Sequence, residues 1–344
     1  MPRRAVVLVV TTALAVVMAA ATLFIPVPYA AIAPGPTFNA LGEQDNKPIV
    51  SISGHATAAT DGQLRLVTVQ VYGKPQRLLL GDVVRGWFDK TVAVVPINSI
   101  YPDSKTTQQQ DAENATAMVD SQLEAKAAAM SALHIPLTVT VKDANKQFPA
   151  AAVLKIGDEI VSVDGTSITT IAALTQLMAT HKPGDTVTVT YRRAGTEHTV
   201  PIQTVASPDD PKKAIIGITL GITLPFTVDI QLANVGGPSA GLMFSLAIYD
   251  KLSDGHLAGG RSIAGTGTID AEGAVGPIGG IQQKVYAARR DGASVFLVPH
   301  ANCADIHDVP KGLELVDVSS LADAVTDLGT LRSGGTPAGC APGK

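Results

Sequence analysis

"NVGGPSAG", residues 234–241, is the stretch on which the fold turns. Ser239 stands behind Pro238, between Gly236-Gly237 and Ala240-Gly241, so little side-chain bulk covers its hydroxyl. Upstream, "FTVDIQLANV" (226–235) has the alternation of a strand. Downstream, "SAGLMFSLAIYDKL" (239–252) predicts a helix with Leu242, Met243, Leu246, Ala247 and Tyr249 on one stripe. Ser239 thus sits where a glycine turn opens into a helix. The first N–H groups of a helix are unpaired and its dipole is positive there, which suits negative charge developing on an oxygen.

A serine hydroxyl is inert without a base. "GGIQQKVYAARRDGA" (279–293) predicts a second helix whose buried stripe is Ile281, Val285 and Ala288. Lys284 falls inside that stripe, whereas Arg289 and Arg290 point elsewhere. Burial disfavours the ammonium form, and bringing a lysine from about 10.4 to near 7.5 takes roughly 4 kcal/mol of differential environment. A neutral amine at this position can take the proton of a serine hydroxyl. The alternative is a lysine that runs along the core and reaches water.

"GGPSAG" followed by "GTGTIDAEGAVGPIGGIQQK" (265–284) resembles the proteolytic domain of Lon proteases. The resemblance implies Ser239 as nucleophile, Lys284 as general base and Thr266 as the threonine beside the lysine. Backbone N–H groups around Gly237 to Ala240 are then the expected oxyanion donors. "VFLVPHAN" (295–302) and "DVP" (308–310) resemble the strand and loop that follow in the family. ATP-dependent Lon proteins usually carry an acid before Gly-Pro-Ser; here that position is Gly236, which leaves the orientation of Lys284 less supported. The chain has no Gly-x-x-x-x-Gly-Lys-[Ser/Thr] loop, so no ATP motor is expected. Substrates would then be unfolded proteins or flexible chain ends, with no cofactor and no metal. Homo-oligomers, six-membered rings in this family, are implied by the resemblance alone.

Residues 137–205 read as a small β-rich module, with turns at Gly157-Asp158 and Asp164-Gly165. The string resembles a PDZ domain of the kind attached to exported bacterial proteases, with Leu154, Gly157, Asp158, Ile160, Asp164 and Gly165 at the family's turn and core positions. PDZ domains bind peptide ends by adding a strand to a sheet edge. No Gly-Leu-Gly-Phe-type carboxylate loop is legible here, so no peptide-binding residue is assigned. A spacer that merely orients the next domain is the alternative.

At the start, "MPRR" precedes "AVVLVVTTALAVVMAAATLFI", an uncharged run over 5–25 that is long enough for a membrane helix. Arg3 and Arg4 would remain inside, which puts the bulk of the chain outside the cytoplasm as a single-pass membrane protein. A cleaved signal peptide is the rival, with small-x-small sites at Ala19 to Ala21 and Ala31 to Ala33. The order of anchor, PDZ and Lon-type domain, with "PGPTFN" (34–39) after the anchor, is similar to a bacterial family of exported PDZ-containing Lon-type proteases.

The expected fold class is α+β multidomain: a cytoplasmic stub (1–4), a transmembrane anchor (5–25), an N-terminal α/β region (26–127), a PDZ-like domain (128–206), a Lon-type proteolytic domain (207–332) and a flexible tail (333–344). Within it, 26–42 reads as an extended exit from the membrane and 48–54 and 64–73 as strands. Trp87 belongs to a short helix packed on those strands, and 112–133 to a long helix. The Asn114-Ala115-Thr116 sequon is a chance match, and no chemistry is expected before residue 130.

Charged residues make up 16% of the chain and the net charge is −4, with no basic block, which argues against nucleic acid as a partner. Cys303 and Cys340 either form a disulfide in an oxidising compartment or stay as two thiols. Three competing readings remain. Gly237 to Gly241 also fits the Gly-x-Ser-x-Gly elbow of α/β-hydrolases, with Asp270 or Asp291 and His300 or His307 in the required order. His300, Cys303 and His307 could form a zinc cluster but lack a fourth ligand. Finally, a non-catalytic PDZ scaffold with an inactive Lon-like domain is the alternative from another functional class.

Overall fold

Alternating apolar residues over Gln63–Tyr72 form a strand in the middle of a six-stranded sheet. The computed structural model describes residues 3–341 and 343 except 75, 103 and 209, and leaves aside the side chains of 3–6, 8, 9 and 19. Across this sheet the order is Glu314–Val318, Val295–Pro299, Ser262–Gly265, Gln63–Tyr72, Tyr29–Asn39 and Ala93–Pro96. The first four strands are parallel, and the last two pairings are antiparallel. Three strands thus come from the N-terminal region and three from the far end of the chain. The region 26–127 and the serine-bearing part are one body, because each half-sheet supplies the other with an edge partner.

The stretch 26–42 is therefore built into the sheet and is no free exit segment. Its prolines are accommodated by a register shift between Pro34 and Thr37, the bulge position where a missing N–H costs little. The helix Arg3–Thr22 ends just before it. Among the described residues no helix is long and apolar enough to cross a membrane; within the predicted 5–25 span, the side chains of residues 5, 6, 8, 9 and 19 are among those left aside. The helix Leu80–Phe88 buries Val83 and Gly86, which leaves Trp87 and Phe88 exposed rather than packed on the strands as expected.

The helix Gly241–Leu252 lies on one face of the sheet, with residues 241–248 and 250 all buried. The single apolar stripe expected from its sequence is thus wrong. The helix is apolar nearly all round because the long helix Thr107–Ala132 covers its outer side, along with Leu321–Arg332. Full burial of side chains such as Phe244 and Leu246 contributes about 1.5–3 kcal/mol each. The helix Ile281–Arg290 packs on the sheet with Val67, Ala264 and Phe296, where Ile281, Val285 and Ala288 join the core as predicted.

A second sheet, all antiparallel, runs Thr196–Gln203, Thr186–Arg193, Glu159–Val163, Thr138–Ala144, Ile218–Thr223. It closes on its own core around Leu154, Ile160, Val163, Val187 and Val189. Asp158 is buried and accepts two bonds from Arg193 and one from Lys155 N–H, which together hold its carboxylate below the usual range against desolvation. The strand Ile218–Thr223, assigned from sequence to the following domain, instead completes this sheet as an edge.

At the far end, Cys303 is bonded to Cys340. Asp317 N–H donates to Ala338 O, and Cys340 N–H to Leu315 O. Residues 338–340 therefore lie along the edge strand Glu314–Val318 and are not the loose tail that composition suggests.

Candidate active site

Two turns carry the site. In the first, Gly237 adopts φ +86°, a conformation that glycine takes without strain, and lets the chain reverse into Pro238-Ser239. In the second, Gly280 at φ +69° starts the helix Ile281–Arg290 so that Lys284 points back toward the serine. Lys284 Nζ lies 2.9 Å from Ser239 Oγ and 3.0 Å from Thr266 Oγ1. Thr266 Oγ1 donates in turn to Ser239 O at 2.9 Å, and Gly267 N–H reaches the same carbonyl. Ser239, Lys284 and Thr266 are thus one hydrogen-bonded cluster, assembled from three separate stretches of chain.

Lys284 is only 2% exposed. Burial alone lowers its pKa from 10.5 to about 7, so a substantial fraction is neutral near pH 7. Among the described residues no carboxylate bonds to it. A neutral amine here can accept the Ser239 Oγ proton on its lone pair, while one of its two N–H groups donates to Thr266 Oγ1. The N–H groups of Ser239 and Ala240 have no protein acceptor among the described residues, whereas Gly237 N–H donates to Asn114 O at 2.9 Å. Of the expected oxyanion donors, then, Gly237 is engaged and Ser239 and Ala240 are free.

The serine opens into a cleft of about 290 Å³, lined by Leu66 to Gln70, Met118, Val235 to Gly237 and Lys284 among others. Its floor is the strand Gln63–Tyr72, whose parallel partner Ser262–Gly265 ends opposite Leu66. Beyond Leu66 the backbone edge on that side has no strand partner among the described residues. The expectation of no chemistry before residue 130 is thus wrong, since the strand and the helix Thr107–Ala132 build one wall. Helical spacing puts Asn114, Met118, Ser121 and Ala125 on one face of that helix, but nothing in the sequence says what the face covers.

The competing site readings find no support in the geometry. His300 bonds Asp317, and Asp291 bonds Arg290 and Thr37, so neither supplies a histidine relay to Ser239. Cys303 is consumed by its disulfide, and among the described residues no cluster of three or more His, Cys, Asp or Glu could hold a metal. In the second sheet, the edge strand Ile218–Thr223 lies beside the helix Ile171–Met178. A narrow crevice there is lined by Ile222, Ile171, Leu123, Glu124 and Ala127. Thr170 donates to Glu272 at 2.9 Å across the same junction.

Comparison with known proteins bears on both halves. The family model of the Lon protease (S16) C-terminal proteolytic domain matches residues 233–328, and that of the PDZ domain matches residues 108–204. Lon protease 2 of Syntrophobacter fumaroxidans is 39% identical over 77 residues, 22% of this chain and 10% of that protein. The Lon protease of Phenylobacterium zucineum is 30% identical over 155 residues, 43% of this chain and 19% of that protein. The chain thus spans a fifth or less of the length of these curated relatives. Among solved structures, the PDZ domain of an SdrC-like protein from Listeria monocytogenes is 30% identical, covering 24% of this chain and 86% of that one, with a TM-score of 0.23. This is an α+β multidomain chain that carries a PDZ domain and a Lon-type proteolytic domain, the latter of a Ser–Lys dyad peptidase family.

Proposed function

We propose, starting from a Lon-type proteolytic domain joined to a PDZ domain, that this chain is a membrane-anchored, ATP-independent serine endopeptidase. Its substrates are unfolded or flexible proteins outside the cytoplasm. The observation that carries the reading is the 2.9 Å approach of Lys284 Nζ to Ser239 Oγ in a dry site, where burial keeps the amine near pKa 7. In the mechanism, neutral Lys284 takes the Ser239 proton as Oγ attacks a peptide carbonyl. The N–H groups of Ser239 and Ala240 receive the oxyanion. The amine then returns the proton to the departing amino group, and an acyl-enzyme remains. Water activated by the same amine hydrolyses it.

An extended chain fits the cleft because the unpaired edge of Gln63–Tyr72 beyond Leu66 offers backbone partners to an added strand. A flexible segment can enter such a groove and a folded domain cannot. The PDZ edge at Ile218–Thr223 is the natural place to hold a chain end or partner peptide. The anchor rests on the uncharged run 5–25 behind Arg3 and Arg4, and ring assembly on kinship with Lon-type domains.

The test is to incubate the full chain with dye-labelled casein beside Ser239→Ala. Cleavage that depends on Ser239 supports the peptidase; equal release by both chains removes it and leaves the PDZ scaffold reading.

A further inference from the structure

We infer that Ser121, on the helix Thr107–Ala132, is a positioning residue that aims the Ser239 N–H at the oxyanion; the inference rests on the reading of Ser239 as nucleophile. Ser121 is 5% exposed, and its Oγ donates to Pro238 O at 3.0 Å across 117 residues of sequence. The other donor recorded at that carbonyl, Gly241 N–H, stands at 3.5 Å, too far to fix it. Across a trans peptide the carbonyl and the next N–H point opposite ways. Pinning Pro238 O toward the helix therefore turns Ser239 N–H away from it, to the side on which Ser239 lines the cleft.

The surroundings fit this role. A Cβ on Gly241 would stand 2.9 Å from Ser121 Oγ, so glycine is what lets the hydroxyl reach the nucleophile's turn. One helical stretch earlier, Asn114 O takes Gly237 N–H at 2.9 Å, which withdraws Gly237 from the oxyanion site and leaves Ser239 and Ala240 as its donors. The same helix crowds Gly236: a Cβ there would lie 3.1 Å from Asn114 Cβ, so a larger residue would need the helix to give by a few tenths of an ångström. Here the turn is held from outside by two bonds to a helix. Ser121 makes no bond to Lys284 and should not affect its proton affinity.

The experiment compares the full-length parent with Ser121→Ala and Ser121→Cys on dye-labelled casein, with thermal melts as the folding check. A mis-aimed oxyanion donor predicts kcat lower by about 10- to 100-fold in Ser121→Ala, with KM within about twofold and the acid limb of the pH profile unmoved. The rate of labelling by a phosphonyl fluoride, which also builds charge on an oxygen at Ser239, should fall in parallel. Ser121→Cys, a weaker donor of similar size, should lie between. The inference is overturned if kcat stays within about twofold of the parent, if KM or the acid limb moves with it, or if a folded Ser121→Cys keeps full kcat when the alanine variant does not fold. If the parent and Ser239→Ala cleave equally, the dyad reading fails first and takes this inference with it.

Discussion

Lys284 Nζ and Ser239 Oγ meet at 2.9 Å across 45 residues of chain, and among the described residues the amine is held there by hydroxyls alone. Its proton affinity is set by burial, and among the described residues it forms no ion pair. Activity should therefore rise with pH, reach half its plateau near pH 7, and move little between low and high salt, since no exposed charge pair is there to be screened. Lys284→Arg should lower kcat by about 1,000-fold or more, because guanidinium keeps its proton throughout that range. A casein-cleavage profile from pH 5 to 9 at two salt concentrations measures both.

The same burial has a stability consequence of definite sign. The lysine binds its proton at about 7 when folded and at 10.5 when hydrated in the unfolded chain, so between these values the unfolded chain holds more protons and stability rises with pH. Below about 7 both states are protonated and the full cost of the buried ammonium is present. Lys284→Met should therefore be more stable than the parent at pH 6, by roughly 3–5 kcal/mol at most, and the gap should shrink toward pH 10. Denaturant melts of the two chains at both pH values measure it.

Thr266 joins Lys284 to the Ser239 backbone, donating to Ser239 O while it accepts from Lys284. Thr266→Val keeps the volume and removes both bonds. Loss of an acceptor disfavours the charged amine further, so the acid limb should shift to lower pH while kcat falls about 10-fold. Ser239 O keeps its bond from Gly267 N–H, so the melting temperature should drop only slightly.

The disulfide Cys303–Cys340 closes a loop with a sequence separation of 37, for which chain entropy gives about 4 kcal/mol. Cys340→Ser should lose about that much in equilibrium unfolding without reductant. Adding dithiothreitol should bring the parent to the same value and leave the variant unchanged.

The pairing of Ser239 with Lys284 was legible because both stand out as side chains: a serine framed by glycines and a lysine on an apolar stripe, each inside a long motif. The PDZ core was legible for a similar reason, since Gly157, Asp158, Asp164 and Gly165 are turn residues with few alternative uses. What stayed hidden works through backbone. Asn114 contributes a carbonyl, which every residue has, and the edge of Gln63–Tyr72 beyond Leu66 is defined by where its partner stops. Ile218–Thr223 reads as a strand from any side, and alternation alone cannot say which of two sheets will accept it. Ser121 is one small polar residue in an alanine-rich helix, and only the packing against Gly241 gives it a task.

The shared sheet also fixes when the Ser239–Lys284 pair can form. Gln63 and Ser262 neighbour each other on adjacent strands yet are 199 residues apart, so the first half-sheet must wait for most of the chain to be synthesised. The PDZ unit, with all its strands between 138 and 223, can close in the meantime. Ser239 and Lys284, which meet on this sheet, therefore come together only after most of the chain has emerged.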